Sequence, residues 1–291
     1  MNFPASAPAS LRAGKFSFEA AFPFLKPPGM NPKSLISLGL ALLGVAFAAK
    51  VSAAPVRIAA SEGPQAEILQ LVSRIGAREG RLALEVVPVR DAAKAHVALL
   101  TGQLDASSAE DGIVVASRIA KGERTSIATQ TVTLPMGLYS RKLRTLRELP
   151  KGATVALPQA AHERARALIL LQNYGLIELR DGAGTQANLS DVTRNRRALR
   201  LVALPPARLA ASLPQAELVV LDFEAAAQLG LAPARDGIGI EDGRSPYANV
   251  LSVRSEDSTA PWLGDFLAIY RSAEVQRFIL TRYQDSVRRP W

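Results

Sequence analysis

Short apolar runs alternate with amphipathic stretches along most of this chain. The run 56–60 predicts a strand, and a helical pattern over 65–79 follows it. In that helix Ile68, Val72 and Ile75 lie on one face. Further strands are predicted at 82–89, 103–106, 126–134, 154–157, 199–203, 218–223, 238–240 and 247–253, and further helices at 92–100, 112–121, 161–174, 260–271 and 273–284. Strands that alternate with helices are typical of βαβ units and largely parallel sheets, so the pattern predicts an α/β fold.

The alternation runs through two cycles, which predict two lobes. We expect lobe 1 to consist of 54–137 together with 246–291, because the C-terminal helices are free to pack back on the first cycle. Lobe 2 is then formed by 138–245. Ligands of open α/β sheets bind beyond the carboxyl ends of the strands, so a two-lobed arrangement places its ligand in the cleft.

Two lobes with this division imply two hinge crossings of the chain. They are expected near 136–140 and near 243–246. Gly137 and Gly243 suit hinges, because glycine absorbs backbone changes that other residues resist.

The N-terminal segment 1–53 has the character of a leader. Lys33 precedes an uncharged apolar run over 35–49, and small residues follow it, which is the three-part pattern of a secretory signal peptide. The run is shorter than the roughly 20 residues of a membrane-spanning helix, although an uncleaved anchor is the alternative. We expect translation to start at Met30 and cleavage to follow Ala53 or a site a few residues earlier, so that the mature protein is periplasmic.

Composition excludes several kinds of chemistry. The chain of 291 residues contains no cysteine, which excludes disulfides, cysteine zinc sites, iron–sulfur clusters and lipid attachment through cysteine. The two histidines, His96 and His162, are too few for a multi-histidine metal site. Apolar residues are 48% and charged residues 21%, as in folded proteins. We therefore expect a folded protein with no metal and no cofactor.

The net charge of +9 raises the possibility of a nucleic-acid partner. Proteins that bind single strands interleave basic side chains with stacking aromatic rings. Here six of the nine phenylalanines and five basic side chains, against one acidic, fall in 1–53. The remainder of the chain concentrates neither feature, so we expect no nucleic-acid partner.

Five segments of the chain contain motifs that occur together. They read LPKGATVALP at 149–158, RALILLQ at 166–172, GLIELRDGAG at 175–184, GLAPARDG at 230–237 and SPYANV at 245–250. In order and spacing they resemble the NlpA/MetQ family, the methionine-binding proteins of ABC importers. Five motifs in register over 55–291 are a strong signal, whereas one alone is weak. The resemblance implies a two-lobed periplasmic binding-protein fold of type II, with a mostly parallel sheet flanked by helices in each lobe, that traps an amino acid by hinge closure.

The resemblance also implies partners and a location. A family member captures an amino-acid-like small molecule and delivers it to an ABC permease and ATPase complex in the inner membrane. Relatives commonly carry a lipobox cysteine, so the lack of cysteine predicts a periplasmic protein without a lipid anchor. The same fold also serves proteins that report a ligand to a membrane receptor, which is the alternative function. The chain has no G-x-S-x-G, H-E-x-x-H, G-x-G-x-x-G after a strand or phosphate loop, so we expect no enzyme and no catalytic residues.

Two binding residues of the family are kept in this chain. The family segment P-N-D-P-T-N-x-G-R reads PQAAHERAR here and ends at Arg166, whose guanidinium would grip the ligand carboxylate with two parallel hydrogen bonds. The alternatives are that Arg166 forms a surface ion pair or that Arg164 takes its role. The S-P-Y-x-N motif keeps Asn249, whose amide suits the zwitterionic end of an amino acid, unless it is a structural asparagine.

The other half of the implied pocket differs from the family. An F-Q-H stretch, two tyrosines and the asparagine of a V-I-N motif are replaced, and the residues at these positions are Ala109, Glu110, Asp111, Ala92, Leu134 and Asp222. Sulfur–aromatic contacts contribute roughly 0.3–1.5 kcal/mol each, so the loss of rings should weaken methionine binding.

The replacements leave four acidic side chains among the candidate ligand-binding residues: Glu110, Asp111, Glu163 and Asp222. Unpaired buried carboxylates are costly, so these groups should face water, pair with arginine or meet a cationic ligand. We expect a ligand with a more polar or cationic side chain than methionine. The alternative is that the acids lie on the rim and the specificity is relaxed.

Overall fold

The computed structural model describes residues 54–291. The predicted signal peptide, the start at Met30 and the cleavage site near Ala53 lie outside this range. The strands are β1 (Val56–Ser61), β2 (Leu84–Val89), β3 (Ala106–Ser108), β4 (Thr125–Gln130), β5 (Gly137–Tyr139), β6 (Thr154–Pro158), β7 (Glu178–Leu179), β8 (Val192–Arg194), β9 (Arg200–Leu204), β10 (Leu218–Leu221), β11 (Gly239–Ile240) and β12 (Val250–Arg254). The helices are α1 (Pro64–Glu79), α2 (Ala92–Leu100), α3 (Gly112–Ala120), α4 (Ala161–Asn173), α5 (Pro206–Ala211), α6 (Phe223–Gln228), α7 (Pro233–Asp236), α8 (Trp262–Tyr270) and α9 (Ala273–Tyr283).

Ten of the twelve strands form two five-stranded sheets, one in each lobe, and β7 pairs with β8 in a separate two-stranded sheet. The first has the order β2-β1-β3-β12-β4, and the second has the order β11-β5-β10-β6-β9. In the first sheet β12 runs antiparallel to both of its neighbours, and in the second sheet β5 does so. The other four strands of each sheet share one direction. The prediction of a two-lobed α/β fold is confirmed, with one reversed strand in each sheet.

The strands β5, β7 and β8 are absent from the predicted elements, and the predicted strands at 218–223 and 247–253 are shorter or displaced in the structure. Two further differences lie at strand edges. The strand expected at 103–106 is displaced to Ala106–Ser108, because the amides of Gln103 and Leu104 donate to the carbonyl of Ala98 and close the end of α2. The strand expected at 126–134 ends at Gln130, because the chain leaves the first sheet there. Local apolar patterning does not record where a strand leaves its sheet.

Each sheet has its own apolar core. In the first lobe Ile58 of β1 packs in one cluster with Val72 of α1, Phe266 of α8 and Ile279 of α9. The C-terminal helices therefore cover the first sheet, although they follow the second sheet in sequence. Burial of each such side chain contributes roughly 1.5–3 kcal/mol, which holds the end of the chain on the first lobe.

Two stretches connect the sheets. Residues 131–136 lead from β4 to β5, just before the region where the first crossing is expected, and 241–249 lead from β11 to β12. The two crossings lie side by side: the Asn249 amide donates to the carbonyl of Val132 at 2.8 Å, and the Thr133 hydroxyl donates to the carbonyl of Gly243 at 2.8 Å.

Gly137 serves packing in β5. A Cβ at this position would lie 2.7 Å from the ring of Tyr139, which is buried. Within residues 54–291, no helix combines the length and the apolar character that crossing a membrane requires.

Candidate ligand-binding cleft

A cavity of about 300 Å³ lies where both lobes present the carboxyl ends of their strands. Ser61 ends β1 and Asp222 follows β10, so both sheets contribute to it. An adjoining cavity of about 710 Å³ extends it past Glu62 and Arg90. The lining residues of the smaller cavity are Ser61, Ala92, Ala109, Glu110, Asp111, Val114, Leu134, His162, Glu163, Arg166, Asp222, Phe223, Glu224 and Asn249. The position beyond the strand ends is the one expected for open α/β sheets.

The predicted ligand-binding residues all line this cavity: Arg166, Asn249, Asp222, Glu163, Asp111 and Glu110. Arg164, the alternative to Arg166, is not among the lining residues, and its guanidinium donates to the carbonyl of Gln159. The six side chains are therefore neighbours, but they differ in how much of their hydrogen-bonding capacity is free.

Arg166 of α4 is held on one edge by protein acceptors. Its Nε donates to Oε1 and Oε2 of Glu241 at 3.1 and 3.0 Å, and its Nη2 donates to Glu241 and to the carbonyl of Leu134, the latter at 2.8 Å. The side chains of Arg166 and Glu241 are 12% and 7% exposed, so this is a buried ion pair and not a surface one. Nη1 forms no hydrogen bond within residues 54–291, so its two N–H groups remain for a ligand.

The aromatic ring of Tyr247 supports the guanidinium from the second crossing. The Arg166 Cζ lies 5.0 Å from the ring centroid, a distance at which the cation is attracted to the ring face. Tyr247 is 1% exposed, and burial raises its pKa to about 12. The ring is therefore neutral at physiological pH and acts as a fixed wall behind Arg166.

Asn249 presents a free amide beside α3. Its backbone is held on both sides, because its backbone N–H donates to the carbonyl of Val132 and its backbone carbonyl accepts from the N–H of Thr131, each at 2.8 Å. Its side chain forms no hydrogen bond with any described residue. The amide therefore offers a donor and an acceptor to the cavity from a rigid backbone.

Asp111 is fully engaged by the protein. Its Oδ1 caps α3 by accepting from the amides of Ile113 and Val114 at 2.9 and 3.1 Å. Its Oδ2 lies 2.7 Å from Nε2 of His162, which is in the first turn of α4. This hydrogen bond raises the pKa of His162, although partial burial opposes it. The pair joins the two lobes across the cleft.

Two further acids are also compensated. Glu110 forms a two-pronged ion pair with Arg118 of α3, with Nη2 and Oε1 2.7 Å apart. Asp222 caps α6 by accepting from the amide of Ala225 at 2.7 Å. Glu110 thus shows one outcome that the sequence predicts for these carboxylates, pairing with arginine, whereas Asp222 is held by a backbone amide.

Glu163 and Glu224 are different, because neither carboxylate has an ion-pair or hydrogen-bond partner among residues 54–291. Glu163 lies in the first turn of α4. Glu224 lies in the first turn of α6, two residues after Asp222, and both glutamates line the cavity. Glu224 is exposed on the cleft edge, and partial desolvation together with the nearby carboxylates of Asp222 and Glu62 raises its pKa. Two carboxylates without a partner among the described residues therefore line the cavity.

Several residues of the site are not indicated by sequence patterns. Glu241 follows a two-residue strand, and nothing local pairs it with Arg166. His162 reads as a polar residue at a helix start, where it lies, but its contact with Asp111 depends on the meeting of the lobes. Phe223 and Glu224 line the cavity because α6 begins at its edge. The order Asp-Phe-Glu directly after an apolar strand is the one signal that places them at a strand end.

The described residues contain no group of three or more histidine and acidic side chains arranged to hold a metal ion. The polar groups at the cavity are instead of the kind that holds a small zwitterion, namely a guanidinium, an amide and carboxylates.

Known proteins of the same kind share this architecture. D-methionine-binding lipoprotein MetQ of Escherichia coli is 31% identical over 223 residues, which cover 76% of this chain and 82% of that protein. The structure of a nutrient-binding protein from Burkholderia cenocepacia bound to methionine has a TM-score of 0.70 and 32% identity, covering 80% of this chain and 98% of that one. A periplasmic substrate-binding protein of an ABC transporter from Coxiella burnetii has a TM-score of 0.70 and 29% identity, and the match covers 80% of this chain and 99% of that one. The family model for NlpA lipoprotein matches residues 56–291. The chain therefore belongs to the NlpA lipoprotein family.

Proposed function

We propose that this protein is the periplasmic substrate-binding component of an ABC importer, and that it captures an amino acid or a small amino-acid derivative in the cleft. The observation that carries the proposal is that Arg166 and Asn249 line one cavity between the lobes, while the Arg166 Nη1 and the Asn249 side-chain amide have no hydrogen-bond partner among the described residues. The relatives support it, because the MetQ protein is named as methionine-binding and the Burkholderia protein is described with methionine bound.

The two groups suit the two ends of a zwitterion. Nη1 would donate to the α-carboxylate in a charge-assisted hydrogen bond. The side-chain oxygen of Asn249 would accept a hydrogen bond from the α-ammonium group, and its side-chain nitrogen would donate to the carboxylate. A ligand that bridges the lobes stabilises the closed form by its differential affinity for that form.

The rest of the cavity favours a side chain more polar than that of methionine, and we propose a cationic one. Phe223 is the only phenylalanine, tyrosine or tryptophan among the lining residues, so few rings are available to a thioether. Glu163 and Glu224 supply carboxylates without partners among the described residues, and a ligand ammonium or guanidinium would offset the repulsion between Glu224 and the carboxylates of Asp222 and Glu62.

A ligand screen tests both levels of the proposal. Thermal unfolding and calorimetry of residues 54–291 would be measured with L- and D-methionine, lysine, arginine, histidine and short methionine peptides. Binding of any of these supports an amino-acid cleft, and tighter binding of lysine or arginine than of methionine supports the acidic end as the specificity determinant. Nanomolar methionine binding would contradict the altered specificity, and no binding by any compound would contradict the function.

A further inference from the structure

Glu241 contacts Arg166 and both crossings, yet it is not itself a residue that lines the cavity. It follows β11 at the start of the second crossing and is 5% exposed. Besides Arg166, its carboxylate accepts from the amide of Met136 at 3.0 Å and from the hydroxyl of Ser245 at 2.6 Å. One carboxylate thus holds the guanidinium, the first crossing and the second crossing.

The two crossings also reach Arg166 directly. Leu134 of the first crossing accepts from Nη2, and Tyr247 of the second crossing lies beneath the guanidinium. Arg166 therefore cannot shift toward a ligand without disturbing contacts in both stretches that connect the lobes. Of its five N–H groups, only the two on Nη1 are outside this arrangement.

We propose that Glu241 is a positioning residue that couples the ligand anchor to the interlobe crossings. It fixes Arg166 so that Nη1 alone points to the ligand, and it transmits a movement of the guanidinium to both connections between the lobes. The coupling to closure rests on the proposed function, because it requires a carboxylate ligand at Arg166.

The simplest competing role for Glu241 is charge compensation alone, and the two roles predict opposite results. If Glu241 only neutralised Arg166, its replacement by glutamine would leave a more positive anchor and tighter binding of a carboxylate. If Glu241 positions Arg166, the same replacement weakens binding, because the guanidinium loses the orientation that presents Nη1.

The first measurement is binding of L-methionine and L-lysine to the wild type and to Glu241→Gln. We expect affinity to fall about tenfold or more in Glu241→Gln, equivalent to the loss of one charged hydrogen bond. Glu217→Gln is the matched control, because Glu217 also accepts from a backbone amide (Thr154, 2.8 Å) and a cation (Lys142, 2.8 Å) but does not line the cleft. The control should lose stability without a change in affinity. Equal or tighter binding by Glu241→Gln overturns the proposal.

A second measurement does not need a ligand. Amide hydrogen exchange of the ligand-free protein should become faster in 131–136 and 241–249 for Glu241→Gln and for Arg166→Gln, and remain at the wild-type rate there for Glu217→Gln. Unchanged exchange in these stretches for Glu241→Gln overturns the proposal. If neither amino acid binds even the wild type, the proposed function fails, while this measurement still decides whether Glu241 connects Arg166 to the crossings.

Discussion

The imidazole Nε2 of His162 lies 2.7 Å from Oδ2 of Asp111, so the first turn of α4 in the second lobe contacts the cap of α3 in the first lobe. The remaining groups that face the imidazole are the charged side chains of Glu163 and Arg166, on its own helix, and the ring of Tyr247, 5.4 Å away between centroids. The contact joins the two lobes across the cleft, so the protonation of one histidine bears on how the lobes meet.

Ligand affinity should therefore depend on pH. The hydrogen bond to Asp111, which joins the two lobes, raises the pKa of His162 above its ordinary value of 6.5. A group with a raised pKa stabilises the closed form fully below the ordinary value, and this contribution is lost as pH rises through the raised pKa. We expect affinity to decrease between pH 6 and 9, measured by calorimetry, and the decrease to be absent in His162→Gln. His96→Gln is the control, because the other histidine does not line the cleft. A steep pH profile that persists in His162→Gln would contradict this assignment.

Replacement of Arg166 by lysine should reduce affinity more than replacement of its neighbour. Lysine keeps the charge, but a single ammonium cannot hold Glu241 and Leu134 and also present a separate donor to the ligand. We expect about a tenfold or greater loss of affinity for the best ligand of the screen, since a charged hydrogen bond is lost. Arg164→Lys should change affinity less than about twofold, because Arg164 does not line the cavity. Equal effects of the two variants would show that the carboxylate is held elsewhere.

Selectivity for a cationic ligand should depend on the unpaired acids. Glu163→Gln and Glu224→Gln each remove a negative charge without a large change of shape. We expect each to lower lysine affinity relative to methionine affinity by up to about fivefold, since an exposed ion pair contributes at most about 1 kcal/mol. Glu85→Gln, which removes an exposed partner of Arg57 on the first sheet, should leave the ratio unchanged. A constant ratio in both cleft variants would indicate that the acids belong to the rim and that specificity is relaxed.

Two glycines should respond in opposite directions to replacement by alanine. In Gly137→Ala the new methyl would meet the buried ring of Tyr139 at 2.7 Å, and such overpacking lowers the free energy of unfolding by about 1–3 kcal/mol. In Gly264→Ala the methyl enters open space within α8, and alanine stabilises a helix by about 0.5–1 kcal/mol relative to glycine. Chemical denaturation measures both. A neutral Gly137→Ala would show that the Tyr139 ring moves freely, as a hinge at this position would allow.

The sequence predicts the order of the elements well because that order depends on local periodicity. The helix over 92–100 and the start of α4 after Pro158 follow from neighbouring residues alone. The shared motifs likewise indicate Arg166 and Asn249, and both line the cavity. The direction of β5 and β12 is different, since it depends on which strand each meets after a crossing.

Periodicity and composition by themselves determined that the chain is α/β and that it lacks cysteine chemistry, and its motifs resemble those of one family. Only the tertiary structure decided which charged side chains pair with one another and which stay without a partner among residues 54–291. Glu241 and Arg166 are 75 residues apart, and Asp111 and His162 are 51 apart, so their pairing depends on how two lobes pack. The same packing leaves Glu163 and Glu224 without partners, because a carboxylate is neutralised by what lies near it in space and not by what precedes it in the chain.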